Sequence, residues 1–143
     1  MRALGIDYGE RRIGLALSDP TGLLASPWKR IDNDGNVGAA AQRLALEVDA
    51  LLAEPDGLDA IVIGLPRRLS GDDNEQTPRV RKLAQLLADK TAIPITFQDE
   101  RLTSHEADAR LATRQRDWRK RKQQLDAMAA ALILQDFLDH QPR

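Results

Sequence analysis

The run Ala60-Ile61-Val62-Ile63-Gly64 constrains this chain more than any other feature. A continuous apolar stretch this short, bounded by turn residues, suits a strand covered on both faces. Such a strand needs helices above and below its sheet. The sequence supplies them. Val37, Ala40, Ala41, Leu44, Val48, Leu51 and Leu52 recur at helical spacing, with turn and cap residues over 33–38 before them and Pro55-Asp56-Gly57 after. Val80, Leu83, Ala84 and Leu87 mark a second helix, and Leu125, Met128, Ala129, Leu132, Ile133 and Phe137 lie on one stripe of a last one. Thr103 with Glu106 three residues on is a capping box, which predicts a helix start there.

Strands occupy the rest. RALGID (2–7) and RIGLALS (12–18) flank the turn Tyr8-Gly9-Glu10 and predict a hairpin. A third antiparallel run over 23–31 contains Pro27, which places it at an edge or a bend. Pro94–Phe97 supplies the fifth strand. The predicted order is β-β-β-α-β-α-β-α-α, an α/β fold with a mixed five-stranded sheet and helices on both faces. At 143 residues the expectation is a single domain over 1–143.

Composition narrows the chemistry. The chain has no cysteine, which excludes disulfides, thiolate metal sites and a Cys nucleophile. Two histidines, His105 and His140, are too few for a His-rich zinc site. No apolar run nears the roughly 18 residues of a membrane span, and MRALGIDYGE lacks a signal-peptide core. The expectation is a cytoplasmic protein without a membrane partner. The formal net charge of -1 hides an asymmetry. Arg110, Arg114, Arg116, Arg119, Lys120, Arg121 and Lys122 crowd one segment with a single acid, Asp117. The remainder carries 14 basic against 21 acidic residues. An acidic body with one cationic segment that also holds Trp118 suits contact with a nucleic-acid strand, through phosphate pairing and base stacking. The competing readings are a solvated helix face and a core tryptophan.

In open α/β sheets ligands bind beyond the carboxyl ends of the strands. The first strand ends at Asp7, the fifth at Asp99-Glu100-Arg101, and Asp126 is expected to open the last helix and lean toward the same rim. Asp7, Glu100 and Asp126 are thus expected to converge. Clustered carboxylates repel, and burial raises that cost. A hard divalent cation, Mg²⁺ or Mn²⁺, would offset it with oxygen ligands. Two such ions about 4 Å apart suit in-line displacement at phosphorus. Gly9 fits close approach of backbone or phosphate. Taken singly, Asp7 also reads as a turn aspartate, Glu100 as a surface partner of Arg101, and Asp126 as an acid favoured by a helix N-terminus.

These residues carry a family resemblance. GIDYGERRIGLALSD (5–19), GLPRRLSG (64–71), DERLTSHEA (99–107) and DAMAAALIL (126–134) resemble, in order, the motifs of the YqgF/RuvX family of the ribonuclease-H-like superfamily. The resemblance spans nearly the whole chain. It implies a ribonuclease-H-like fold and a nuclease that matures the 5′ end of 16S ribosomal RNA or resolves Holliday junctions. By it, Asp7, Glu100 and Asp126 match the family's acids as catalytic and metal-binding residues. Arg67, Arg68, Ser70, Arg101, Arg114, Arg116, Arg119, Lys120, Arg121 and Lys122 are the candidate nucleic-acid contacts. The loop after GLP departs from the family pattern at Arg67 and Arg68. The implied partner is a ribosomal RNA precursor or a DNA junction, bound by a monomer or a homodimer. A non-catalytic binding module and an actin-like ATPase fragment remain the alternatives. The absence of G-x-x-x-x-G-K-[ST] speaks against the latter.

Overall fold

A computed structural model describes residues 1–100 and 118–142, with side chains over 1–100 and 125–142. Its frame is a five-stranded sheet in the order β3-β2-β1-β4-β5. The strands are β1 (Ala3–Tyr8), β2 (Arg12–Ser18), β3 (Ala25–Asp32), β4 (Ala60–Leu65) and β5 (Ile95–Asp99). The first three form an antiparallel meander, and β4 and β5 run parallel to β1. The hairpin, the mixed sheet and the buried fourth strand are as the sequence predicts. Pro27 lies on the edge strand, opposite Ala16, where the β2–β3 register shifts.

Alternation assigns each strand's side chains to one of two layers. Leu4, Ile6, Ile13, Leu15, Ile61 and Ile63 face α1 (Val37–Leu52) and α2 (Thr77–Ala88) and form the main core with Leu44, Val48, Leu83 and Leu87. Each such side chain contributes about 1.5–3 kcal/mol through burial. Asn36 caps α1 by accepting the Ala39 N–H at 3.0 Å. The opposite layer is built from small residues. Ala3, Ala16 and Val62 meet Ala130, Ile133, Leu134, Phe137 and Leu138 of α3 (Trp118–Asp139).

Glycines set the depth of that layer. A Cβ on Gly5 would lie 2.8 Å from Leu134 Cβ and 2.9 Å from the Ala130 carbonyl oxygen. On Gly14 it would overlap the backbone carbonyl of Asp126. Helix α3 therefore rests directly on the backbones of β1 and β2. Gln135 fixes it in place by accepting the Ala25 N–H and donating to the Leu23 carbonyl, both at 2.9 Å.

Two expectations for the last helix change. It begins at Trp118, so Asp126 lies two turns inside rather than at its opening. Its charged first turns carry no apolar period by which to read a start. Its buried stripe centres on Ala130, Ile133, Leu134 and Phe137, whereas Leu125, Met128 and Leu132 are only partly buried. A floor of glycine and alanine admits the small side of the helix. The helix expected from Thr103 lies outside the described residues. None of the described helices is long and apolar enough to cross a membrane.

Candidate active site

Asp7 is the penultimate residue of β1, in register with Gly14, and its place in the alternation puts its carboxylate on the α3 side. Glu100 follows β5 directly, and its N–H reaches the Leu65 carbonyl at 3.3 Å, which carries the β4–β5 ladder one residue further. The Asp7 and Glu100 carboxyl groups share a hydrogen bond. Gly64 makes room for it. A Cβ there would come within 3.1 Å of Glu100 Cδ and 2.6 Å of Ile133 Cδ1.

The pair pays for its burial in protons. Desolvation, then the charge of Asp7, the hydrogen bond Glu100 makes to Asp7 and the charge of Asp99 push Glu100 up to about 9. Desolvation also raises Asp7, to about 6; the Glu100 hydrogen bond works against that rise and the charge of Asp126 adds to it. The pattern is that of two acids holding one proton, with the Glu100 carboxyl donating to the Asp7 carboxylate. Asp126 thus lies near enough to act on Asp7 through its charge. Its Oδ2 stands 4.0 Å from Arg30 Nη1. Among the described residues no three His, Cys, Asp or Glu side chains stand together as a preformed metal-binding group.

A hydrogen-bonded rim continues past β4. The buried Thr77 hydroxyl donates to the Pro66 carbonyl at 2.5 Å and accepts the Asn74 N–H at 2.9 Å. The backbones of Arg67 and Asp73 form an isolated antiparallel β-bridge, and the Asp73 carboxylate pairs with Arg81 at 2.5 Å. Glu10, in the β1–β2 turn, accepts from Gln76 at 2.7 Å and Arg79 at 2.8 Å, which ties that turn to the start of α2. Arg68 is exposed and Arg67 partly so. The Ser70 hydroxyl donates to Asp72 Oδ2 at 3.1 Å, and the Gly71 N–H donates to the Arg68 carbonyl at 2.8 Å. Both groups therefore serve the turn. Gly9 serves its own hairpin: its N–H donates to the Arg12 carbonyl at 2.9 Å, and a Cβ would sit 2.7 Å from that oxygen.

Arg101, Arg110, Arg114, Arg116 and His105 lie outside the described residues. Arg119, Lys120, Arg121 and Lys122 fall in the first turns of α3. Sequence reasoning missed Arg30, Gly14 and Gly64. Only Gly64 left a signal, as the residue closing the apolar run 60–64, one short of the end of β4.

Comparison with known proteins agrees over the same span. A family model described as "RuvX: Holliday junction resolvase" matches residues 1–140. A protein of Pelotomaculum thermopropionicum named "Putative pre-16S rRNA nuclease" is 38% identical over 143 residues, covering 100% of this chain and 90% of its own. One of the same name from Roseiflexus sp. is 39% identical over 140 residues, covering 98% and 95%. Among solved structures, Thermus thermophilus RuvC superimposes with a TM-score of 0.53 at 14% identity, covering 93% of this chain and 92% of that one. RuvC from T. thermophilus in complex with Holliday junction substrate gives 0.52 at 16%, covering 93% and 91%. The fold is ribonuclease-H-like.

Proposed function

Because the chain belongs to the RuvX family, we propose that it is a hydrolase that cuts phosphodiester bonds in structured nucleic acid, with the 5′ region of the 16S ribosomal RNA precursor as substrate. The observation that carries this reading is the proton-sharing pair Asp7–Glu100 at the carboxyl edge of the sheet, with Asp126 close enough to act on it. Buried acids raised in this way are candidates for functional sites, where such groups cluster.

The donor set fits a hard divalent cation. All three groups offer oxygen, the buried pair shares a proton that a cation would displace, and the missing side chain of Gly64 leaves room for the Glu100 carboxylate. Asp7 and Glu100 would hold Mg²⁺ or Mn²⁺, with Asp126 completing the set. The bound cation would supply Lewis-acid activation and neutralise phosphate charge. The chain's own residues do the remainder. Asp7 and Glu100 would have to give up their shared proton to serve as its ligands. The seating of α3 on Gly14 fixes the backbone of Asp126. Arg67 and Arg68, in the loop that follows β4, would offer cations to the substrate backbone, and Arg119, Lys120, Arg121 and Lys122 are the further candidates for such contacts.

The test is cleavage of a ribosomal RNA precursor and of a four-way DNA junction with Mg²⁺ or Mn²⁺, with the product ends mapped. Cutting near the 16S 5′ end that disappears in Asp7→Asn and in Glu100→Gln is expected. Cutting of the junction alone would make the chain a DNA resolvase, as the family's description allows. Cutting that survives both substitutions would move the active site elsewhere. Salt-sensitive binding without any cutting would leave only a binding module.

A further inference from the structure

Asp126 faces a cation that belongs to neither the predicted rim nor the basic segment. Arg30 of β3 is in register with Gly14 of β2, and Gly14 with Asp7 of β1. The three residues form one row across the sheet. Gly14 places no side chain between its neighbours, and the backbone carbonyl of Asp126 comes down over it. The Arg30 guanidinium lies 4.0 Å from the Asp126 carboxylate, and the two side chains are 23% and 26% exposed. At that depth opposite charges attract more strongly than at a surface, and an unbalanced carboxylate costs more.

We propose that Arg30 is the resident counter-ion of Asp126, balancing it in the metal-free chain and competing with a divalent cation for it. The proposal rests on the reading of Asp7, Glu100 and Asp126 as ligands of such a cation. A dication beside the Asp7–Glu100 pair would draw on the same carboxylate that Arg30 faces, and would repel the guanidinium. Arg30 therefore balances Asp126 beside the Asp7–Glu100 pair without metal and weakens cation binding in exchange. A lysine keeps the charge and loses only the planar fork.

The experiment is calorimetric titration of Mn²⁺ into the full chain without nucleic acid, on variants whose circular dichroism matches the parent. Arg30→Gln is expected to lower the Kd for Mn²⁺ by about three- to tenfold and to lower the melting temperature of the metal-free chain. Arg30→Lys is expected to stay close to the parent. In an Asp126→Asn background, Arg30→Gln is expected to shift the Kd by less than about twofold, because the contested carboxylate is gone. An unchanged or raised Kd for Arg30→Gln overturns the proposal. So does equal tightening with and without Asp126, which would make Arg30 a general charge. If Arg30→Gln does nothing while Asp7→Asn weakens Mn²⁺ binding, only the role of Arg30 falls. If the parent chain binds no Mn²⁺, or Asp7→Asn does not weaken binding, the ligand reading falls with it.

Discussion

At the scale of single residues, the site is set by acids that hold protons ordinary carboxylates would have lost. Asp7 and Glu100 are both raised in the folded chain, to about 6 and about 9, from 3.8 and 4.5. The unfolded chain therefore releases these protons first, and folding becomes less favourable as pH rises. The pair's contribution is fully present below about pH 4 and is lost as pH climbs through 6 toward 9. The melting temperature of the metal-free protein is expected to fall across that window, and Mg²⁺ or Mn²⁺ to reverse the fall. Asp7→Asn is expected to flatten the profile and raise stability at pH 8 by about 1–3 kcal/mol, since one pKa unit corresponds to about 1.4 kcal/mol. Urea titrations at pH 5 and pH 8 check both. A loss of stability in Asp7→Asn would make that residue a structural acid.

At the scale of elements, α3 and the loop after β4 border the proposed site. Gly14→Ala is expected to cost about 1–3 kcal/mol at any pH, because its Cβ meets main chain that can only yield by moving the helix. Gly64→Ala meets the movable ends of Glu100 and Ile133 instead. It is expected to suppress cleavage more than it lowers the unfolding midpoint, and paired activity and denaturation measurements separate the two. The same contrast shows what the sequence could convey. Alternation and helical spacing announced the hairpin, the β4 run and the first two helices, because each buries an apolar stripe. The glycine floor was silent, because a glycine in a strand adds nothing to a hydrophobic pattern. The start of α3 at Trp118 was hidden by its charged first turns. Arg30, a lone arginine on an edge strand, carried no mark until the register set it across Gly14 from Asp7. The acids at the strand ends were legible because strand polarity fixes which edge they share.

At the scale of the whole molecule, charge divides the labour. The body is acidic and the cations crowd into 110–122, so association with a polyanion is expected to depend on that segment. Replacing Arg119, Lys120, Arg121 and Lys122 with glutamine is expected to weaken binding across sequences. The slope of log affinity against log salt is expected to become shallower by about 0.7–0.9 for each phosphate no longer neutralised. Fluorescence anisotropy over a salt series measures it, and an unchanged slope would place the binding on another surface. The thinness of the α3 layer ties catalysis to architecture in another way. Asp126 rides on a helix seated directly on the strand beside Asp7, so there is no slack by which the two could separate gradually on warming. Inactivation and melting are then expected to coincide, and an assay run up a temperature ramp to lose its signal at the calorimetric midpoint and not before.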